Sequence, residues 1–210
     1  MHTPARLRSA AGVTLIDLLV SVALSLVAMA TVLAFHRAQL SALQDQARQL
    51  DLQTSTRAIV ELFAREVRRA GLDPGCTKKF AMLADGSATQ VRVQEDLNSN
   101  GALDPASEDI TFRIVESRQL ERVTGATTDI LLSNVDLSGS RLRYFDGGGV
   151  ELLPAPSLSA AQRAAVRRVR IEIAASGAAA SPMRSMPLVA YAATDVELRN
   201  RFFVISNTCL

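Results

Sequence analysis

The chain has 210 residues, 48 % of them apolar, enough for one membrane anchor and one domain of ordinary size. Its two histidines, His2 and His36, both lie near the N-terminus, which leaves no material in the rest of the chain for a His-based relay or a multi-His metal centre. Trp is absent, aromatics are 4 % and the formal charge is only +2, so neither stacking nor bulk electrostatics argues for a nucleic-acid partner.

Residues 1–12 form a short leader whose Arg6 and Arg8 carry the whole formal charge excess. Without them 21 acidic residues face an equal number of basic ones, and the remaining chain is neutral. Residues 13–35 follow as an apolar run. As a helix rising about 1.5 Å per residue it spans roughly 35 Å, enough to cross a hydrocarbon core of about 30 Å. The arginines before it place the leader in the cytoplasm and the rest of the chain on the far side. Such a run is too long and uniform for a buried core helix. A conventional secretory signal cut near Ala28-Met29-Ala30 is the alternative reading. Against it, the apolar run continues through Val32, Leu33 and Phe35. A lone acid, Asp17, also interrupts it, and a carboxylate at membrane depth costs about 2.5–3.5 kcal/mol.

The helical spacing continues past the apolar run. Leu40, Leu43, Ala47 and Leu50, then Ile59, Leu62, Phe63, Val67 and Ala70, recur every three or four residues, with charges between them. No Pro or Gly intervenes before Gly71, and Pro74 and Gly75 follow as stop signals. The expectation is one helix of nearly 60 residues, its second half amphipathic (residues 36–71) and packed on a sheet.

Residues 72–210 then read with a period of two. Val91 and Val93, Ile110, Phe112 and Ile114, Leu142 and Tyr144, and Val169, Ile171 and Ile173 alternate with polar residues. Val189, Tyr191 and Ala193 extend the pattern towards Val196 and Leu198. Asp146-Gly147-Gly148-Gly149 marks a hairpin, 159–165 a short helix and 177–187 a loop. Strands without long intervening helices make the fold class α+β: a long N-terminal helix on a mostly antiparallel sheet.

Three sets of residues are candidates for chemistry. Asp96, Asn98 and Asn100 precede Gly101, and Asp104 and Glu108 follow, which resembles a calcium loop with its last acid one place late. The alternative there is an Asx-rich turn that satisfies its own backbone. Cys76 and Cys209, both beyond the membrane run on its oxidising side, are expected to pair. Closing so long a loop contributes about 4–5 kcal/mol less any strain. Arg163, Arg167, Arg168 and Arg170 read as a solvated strand face before a DNA patch.

GVTLIDLLVSVALSL at residues 12–26 resembles the leader junction of type IV pilins and pseudopilins, whose usual form is Gly followed by Phe-Thr-Leu-Ile-Glu-Leu-Leu-Val. Gly12, Thr14, Leu15, Ile16, Leu18, Leu19 and Val20 match. Val13 stands for the phenylalanine and Asp17 for the glutamate, one methylene shorter. The resemblance implies cleavage after Gly12 by prepilin peptidase and N-methylation of Val13. It also implies a register role for Asp17, which meets an N-terminal amine as subunits move from the inner membrane into a filament. Arg-Arg-Ala-Gly-Leu-Asp-Pro at 68–74 and Val-Glu-Leu-Arg-Asn at 196–200 resemble PilW-like minor pilins, which prime assembly with other minor and major pilins. A J-type pseudopilin of type II secretion is the alternative, since it shares the leader, the stem and the sheet. The class carries no required cofactor, with Ca²⁺ at the Asp/Asn loop as the exception to test. A membrane-anchored enzyme is the reading from another class, and no nucleophile–base arrangement speaks for it.

Overall fold

The computed structural model describes residues 14–178 and 186–200. Gly12, Val13 and Cys209 lie outside the described residues. One helix, α1 (Leu15–Arg69), runs for 55 residues, roughly 80 Å. Among the described residues nine strands follow: β1 (Asp85–Gly86), β2 (Gln90–Gln94), β3 (Asp109–Val115), β4 (Gln119–Thr124), β5 (Thr127–Ser133), β6 (Arg141–Phe145), β7 (Glu151–Leu152), β8 (Arg168–Gly177) and β9 (Leu188–Glu197). A short helix, α2 (Ala160–Ala165), lies between β7 and β8. The class is the expected α+β.

The helix ends where its sequence says it must. Ala70 is the C-cap, and Gly71 follows at φ 74°, a left-handed conformation in which any Cβ would also strike Met82. Arg68 and Arg69 occupy the last turn, where cations favour the helix dipole. Asn200 supplies the remaining cap from the far end of the chain. Its Nδ2 donates to the carbonyls of Arg69 and Ala70 at 3.0 and 3.2 Å.

The expected single sheet is two. One has the order β1-β2-β3-β4-β5 and the other β7-β6-β8-β9, and every pairing is antiparallel. The second half of α1 packs against both. Phe63 stacks on Phe112 of β3, with ring centroids 4.1 Å apart. Val60, Ala64 and Val67 join Val91, Ile110, Val169, Ile171 and Ile173 in one core. Tyr144 ties the two sheets together. Its ring is buried and its hydroxyl is 2.9 Å from the carbonyl oxygens of both Ser87 and Gln90. Burial pushes its ionisation far above the usual tyrosine range.

Two local expectations change. On β9 the buried residues are Leu188, Ala190, Ala192 and Val196, so Val189, Tyr191 and Ala193 face outward. Small apolar residues on both faces hid the phase. Gly177, read as the start of a loop, is the last residue of β8. The 146–149 hairpin and the short helix stand as expected. Asp146 accepts from the backbone of Gly148 and Val150, and Ser159 caps α2 through a reciprocal bond with Gln162.

Candidate functional site

The start of α1 is a capping box. The Thr14 hydroxyl accepts from the Asp17 backbone N–H at 3.3 Å. The Asp17 carboxylate in turn accepts from the Thr14 backbone N–H at 3.1 Å and the Thr14 hydroxyl at 2.7 Å. The shorter acid therefore still reaches back to its own helix start. This satisfies N–H groups left open by the first helical turn and places negative charge where the helix dipole favours it. The apolar half of α1 beyond this box is exposed throughout, including Leu15, Leu24, Val32 and Phe35. The helix is long and apolar enough to cross a membrane.

Further along, α1 turns from exposed to packed. Gln49 Nε2 donates to the Val189 carbonyl at 2.8 Å, and from Thr56 onward its inward face is buried. Near the helix end lies a charged seam that no sequence pattern indicated. Arg69 meets Glu95 through Nη2–Oε1 and Nε–Oε2 contacts of 2.9 Å each, and the Glu95 side chain is buried. Glu66 on the same helix lies 3.7 Å from Arg122 of β4. Burial raises the Glu95 carboxyl above its ordinary range, with Arg69 opposing and Glu66 reinforcing the shift. Glu95 sits one residue past β2, so its period-two register turns it inward, but its charge argued for the surface.

The Asp/Asn loop satisfies itself. Asp96 accepts from the backbone of Asn100 and Gly101, Asn98 from Asn100, Asn100 from Ala102, and Asp104 from Ala106 and the Ser107 hydroxyl. Glu108 is buried and accepts from the N–H groups of Leu97 and Asn98 through one oxygen, and of Asp104 through the other. These are the bonds of the Asx-turn alternative. Among the described residues no group of three His, Cys, Asp or Glu side chains could hold a metal ion. The loop is braced on the helix exit. Asp96 N–H donates to Leu72, and Lys79 Nζ to the Gly101 carbonyl at 3.1 Å. Cys76 lies in that same exit turn, four residues before the buried Phe80.

The four arginines are engaged within the chain. Arg163 donates to Leu158, Arg167 to the carbonyls of Ala164, Ala165 and Val166, and Arg168 lies over the Phe145 ring. Arg170 lies 3.1 Å from Glu172, which also takes Arg141 at 2.7 Å.

No curated protein and no solved structure gives a match. A family model, described as prepilin peptidase-dependent protein B, matches residues 45–185. That stretch begins in the stem and runs past β8, well clear of the leader junction, so the match is independent of the N-terminal motif. Two separate parts of the sequence thus converge on a pilin-like protein, and the chain belongs to the prepilin peptidase-dependent protein B family.

Proposed function

We propose that this chain is a pilin-like subunit made with a leader (residues 1–12), cut after Gly12 by prepilin peptidase and built into a filament through residues 13–35. The observation that carries the reading is the pairing of an exposed membrane-length helix with an acid, Asp17, seated at its first turn. A carboxylate there is tolerated only when partnered. Within one subunit Thr14 is the partner. On assembly, the new amine of Val13 from a neighbour offers a stronger, charged one. A subunit docked out of register leaves both charges unpaired in apolar surroundings, so the pair selects register more than it adds stability. The work is assembly, not catalysis.

The finer assignment is a minor type IV pilin of the PilW-like group, anchored in the inner membrane with its β-domain outside and acting with other minor and major pilins. The 68–74 helix exit and the 196–200 ending favour it over a J-type pseudopilin. A deletion that abolishes surface pili supports that choice, and one that blocks exoprotein release reverses it. The Cys76–Cys209 bridge belongs to the same proposal and would tie the C-terminus to the helix exit.

Intact mass and N-terminal sequencing, with and without prepilin peptidase, test the whole reading. The expected product starts at a methylated Val13, and Gly12→Asp retains the leader. Asp17→Ala should be cut normally yet fall about tenfold or more in sheared filaments. A mature N-terminus at Thr31 refutes the proposal. Alkylation before and after reduction, read in the same spectra, should add mass only after reduction.

A further inference from the structure

Three strand ends meet at one pole of the β-domain. β6 ends at Phe145, β8 begins at Arg168 and β9 ends at Glu197, and these residues are neighbours across the ladder. Gln49 meets Val189 and Asn200 meets Arg69, so β9 runs with α1 and this pole lies at the end of the stem, away from the apolar half of the helix. A recess opens there, and Asp146, Gly147, Arg167, Arg168, Glu197 and Arg199 line it.

Arg167 is built in. Its Nη1 donates to the carbonyls of Ala164, Ala165 and Val166 at 3.2, 3.0 and 3.1 Å, and its backbone N–H donates to Phe145 at 2.7 Å. These bonds hold the guanidinium by one nitrogen, and among the described residues Nε and Nη2 have no partner. Gly147 lies beside that edge without covering it. A Cβ there would stand 3.6 Å from Arg167 Cγ and 3.9 Å from its Nε. Arg168 is held over the Phe145 ring, 4.5 Å from the centroid. Its nearest acid, Asp195, is 3.9 Å away, beyond hydrogen-bond length, and is shared with Arg170. Arg199 makes no hydrogen bond or ion pair among the described residues.

The two acids of the recess do not use up these donors. Asp146 Oδ1 accepts from the Gly148 and Val150 N–H groups at 2.9 Å each, which shapes its own hairpin. Glu197 forms no ion pair among the described residues. Three guanidinium groups therefore face two carboxylates, and none of the three is paired at hydrogen-bond distance with either. Planar forks of this kind match an oxyanion, which takes two parallel charge-assisted hydrogen bonds from one guanidinium. Arg167 is already ordered by its own bonds, so it gives up little further freedom when an anion arrives.

We infer that this recess binds an oxyanion, a phosphate or a carboxylate group, with Arg167 as the fixed anchor and Arg168 and Arg199 as its flanking donors. The site needs only the folded β-domain, so it stands or falls apart from the filament reading. Inorganic phosphate and acetate are titrated calorimetrically into the purified full chain in detergent, with chloride exchanged to keep ionic strength constant. At least one should give saturable heat. Tighter phosphate binding assigns a phosphate-bearing source, and tighter acetate binding an acidic protein group. Arg199→Ala breaks no bond within the described domain. It should weaken binding about tenfold and leave the thermal midpoint unchanged. Gly147→Asp sets a carboxylate beside the Arg167 fork, at a position whose backbone accepts a side chain, and should abolish binding by filling the site from within. No saturable heat from either anion, or binding that Arg199→Ala and Gly147→Asp leave at the parent's strength, would overturn the inference.

Discussion

The two halves of α1 share one helix and answer to two solvents. In the first half, leucines and valines are exposed on every side, and among the described residues its polar contacts are local ones such as Thr14–Asp17 and Ser25 to the Ser21 carbonyl. In the second half, Val60, Phe63, Ala64 and Val67 are buried against the sheets, and polar pins hold the helix at Gln49 and at its end. An apolar side chain contributes to folding only where something covers it. Among the described residues nothing covers the first half, whereas the second is stabilised by its own domain. The comparison teaches that helix continuity carries no common energetics: the domain can be weakened without touching the anchor, and the reverse.

Phe63→Ala should break the comparison most strongly. It removes a stacked ring from the centre of the helix–sheet contact and should cost about 3–5 kcal/mol. Leu26→Ala in the exposed half should leave the domain's unfolding within about 0.5 kcal/mol of the parent. Denaturant melts of the full chain in detergent, followed through the β-domain, check both. Equal losses at the two positions would mean that the halves fold as one unit.

Much of this division was legible in the residues. Helix length and stop followed from spacing and from Gly71, and the inward faces of β2, β3 and β8 followed from strict alternation. β4 and β5 escaped because they bury only Leu120 and Leu132 and otherwise look like polar linker. With them went the second sheet. The phase of β9 failed because Ala occupies both of its faces. At the site, Thr14 and Asp17 were legible as a motif, but their mutual bonds needed the helix start to be built. The Glu95 seam was invisible, since its partners Arg69, Glu66 and Arg122 come from elements far apart in sequence.

A smaller effect sharpens the same contrast at the loop beside the helix exit. Glu108→Ala strips the acceptor from three backbone N–H groups and should destabilise the domain by about 3 kcal/mol. If the loop is a self-satisfied brace, that loss is the same in EDTA and in millimolar Ca²⁺, and a calorimetric titration of the parent gives no heat. A calcium-dependent gain in the parent that Glu108→Ala abolishes would support the metal-loop reading.

The smallest effect concerns pH, and two carboxylates set it with opposite signs. The Arg92 guanidinium against Asp109 holds that carboxyl below its ordinary value. Its contribution is present above the ordinary value of 3.8 and lost as pH falls through the lower native one. Glu95 behaves in reverse. Burial raises it, so its contribution is full below the ordinary 4.5 and disappears as pH rises through the higher native value. Ionised Glu95 is thus a burden that Arg69 only partly relieves. Melts of the full chain between pH 4 and 7 should show Glu95→Gln flattening the decline in stability with rising pH, whereas Asp109→Asn changes the slope only below about pH 4. A Glu95→Gln curve parallel to the parent's would show that Arg69 fully compensates the buried charge, and that the seam between helix end and sheet is an ordinary ion pair.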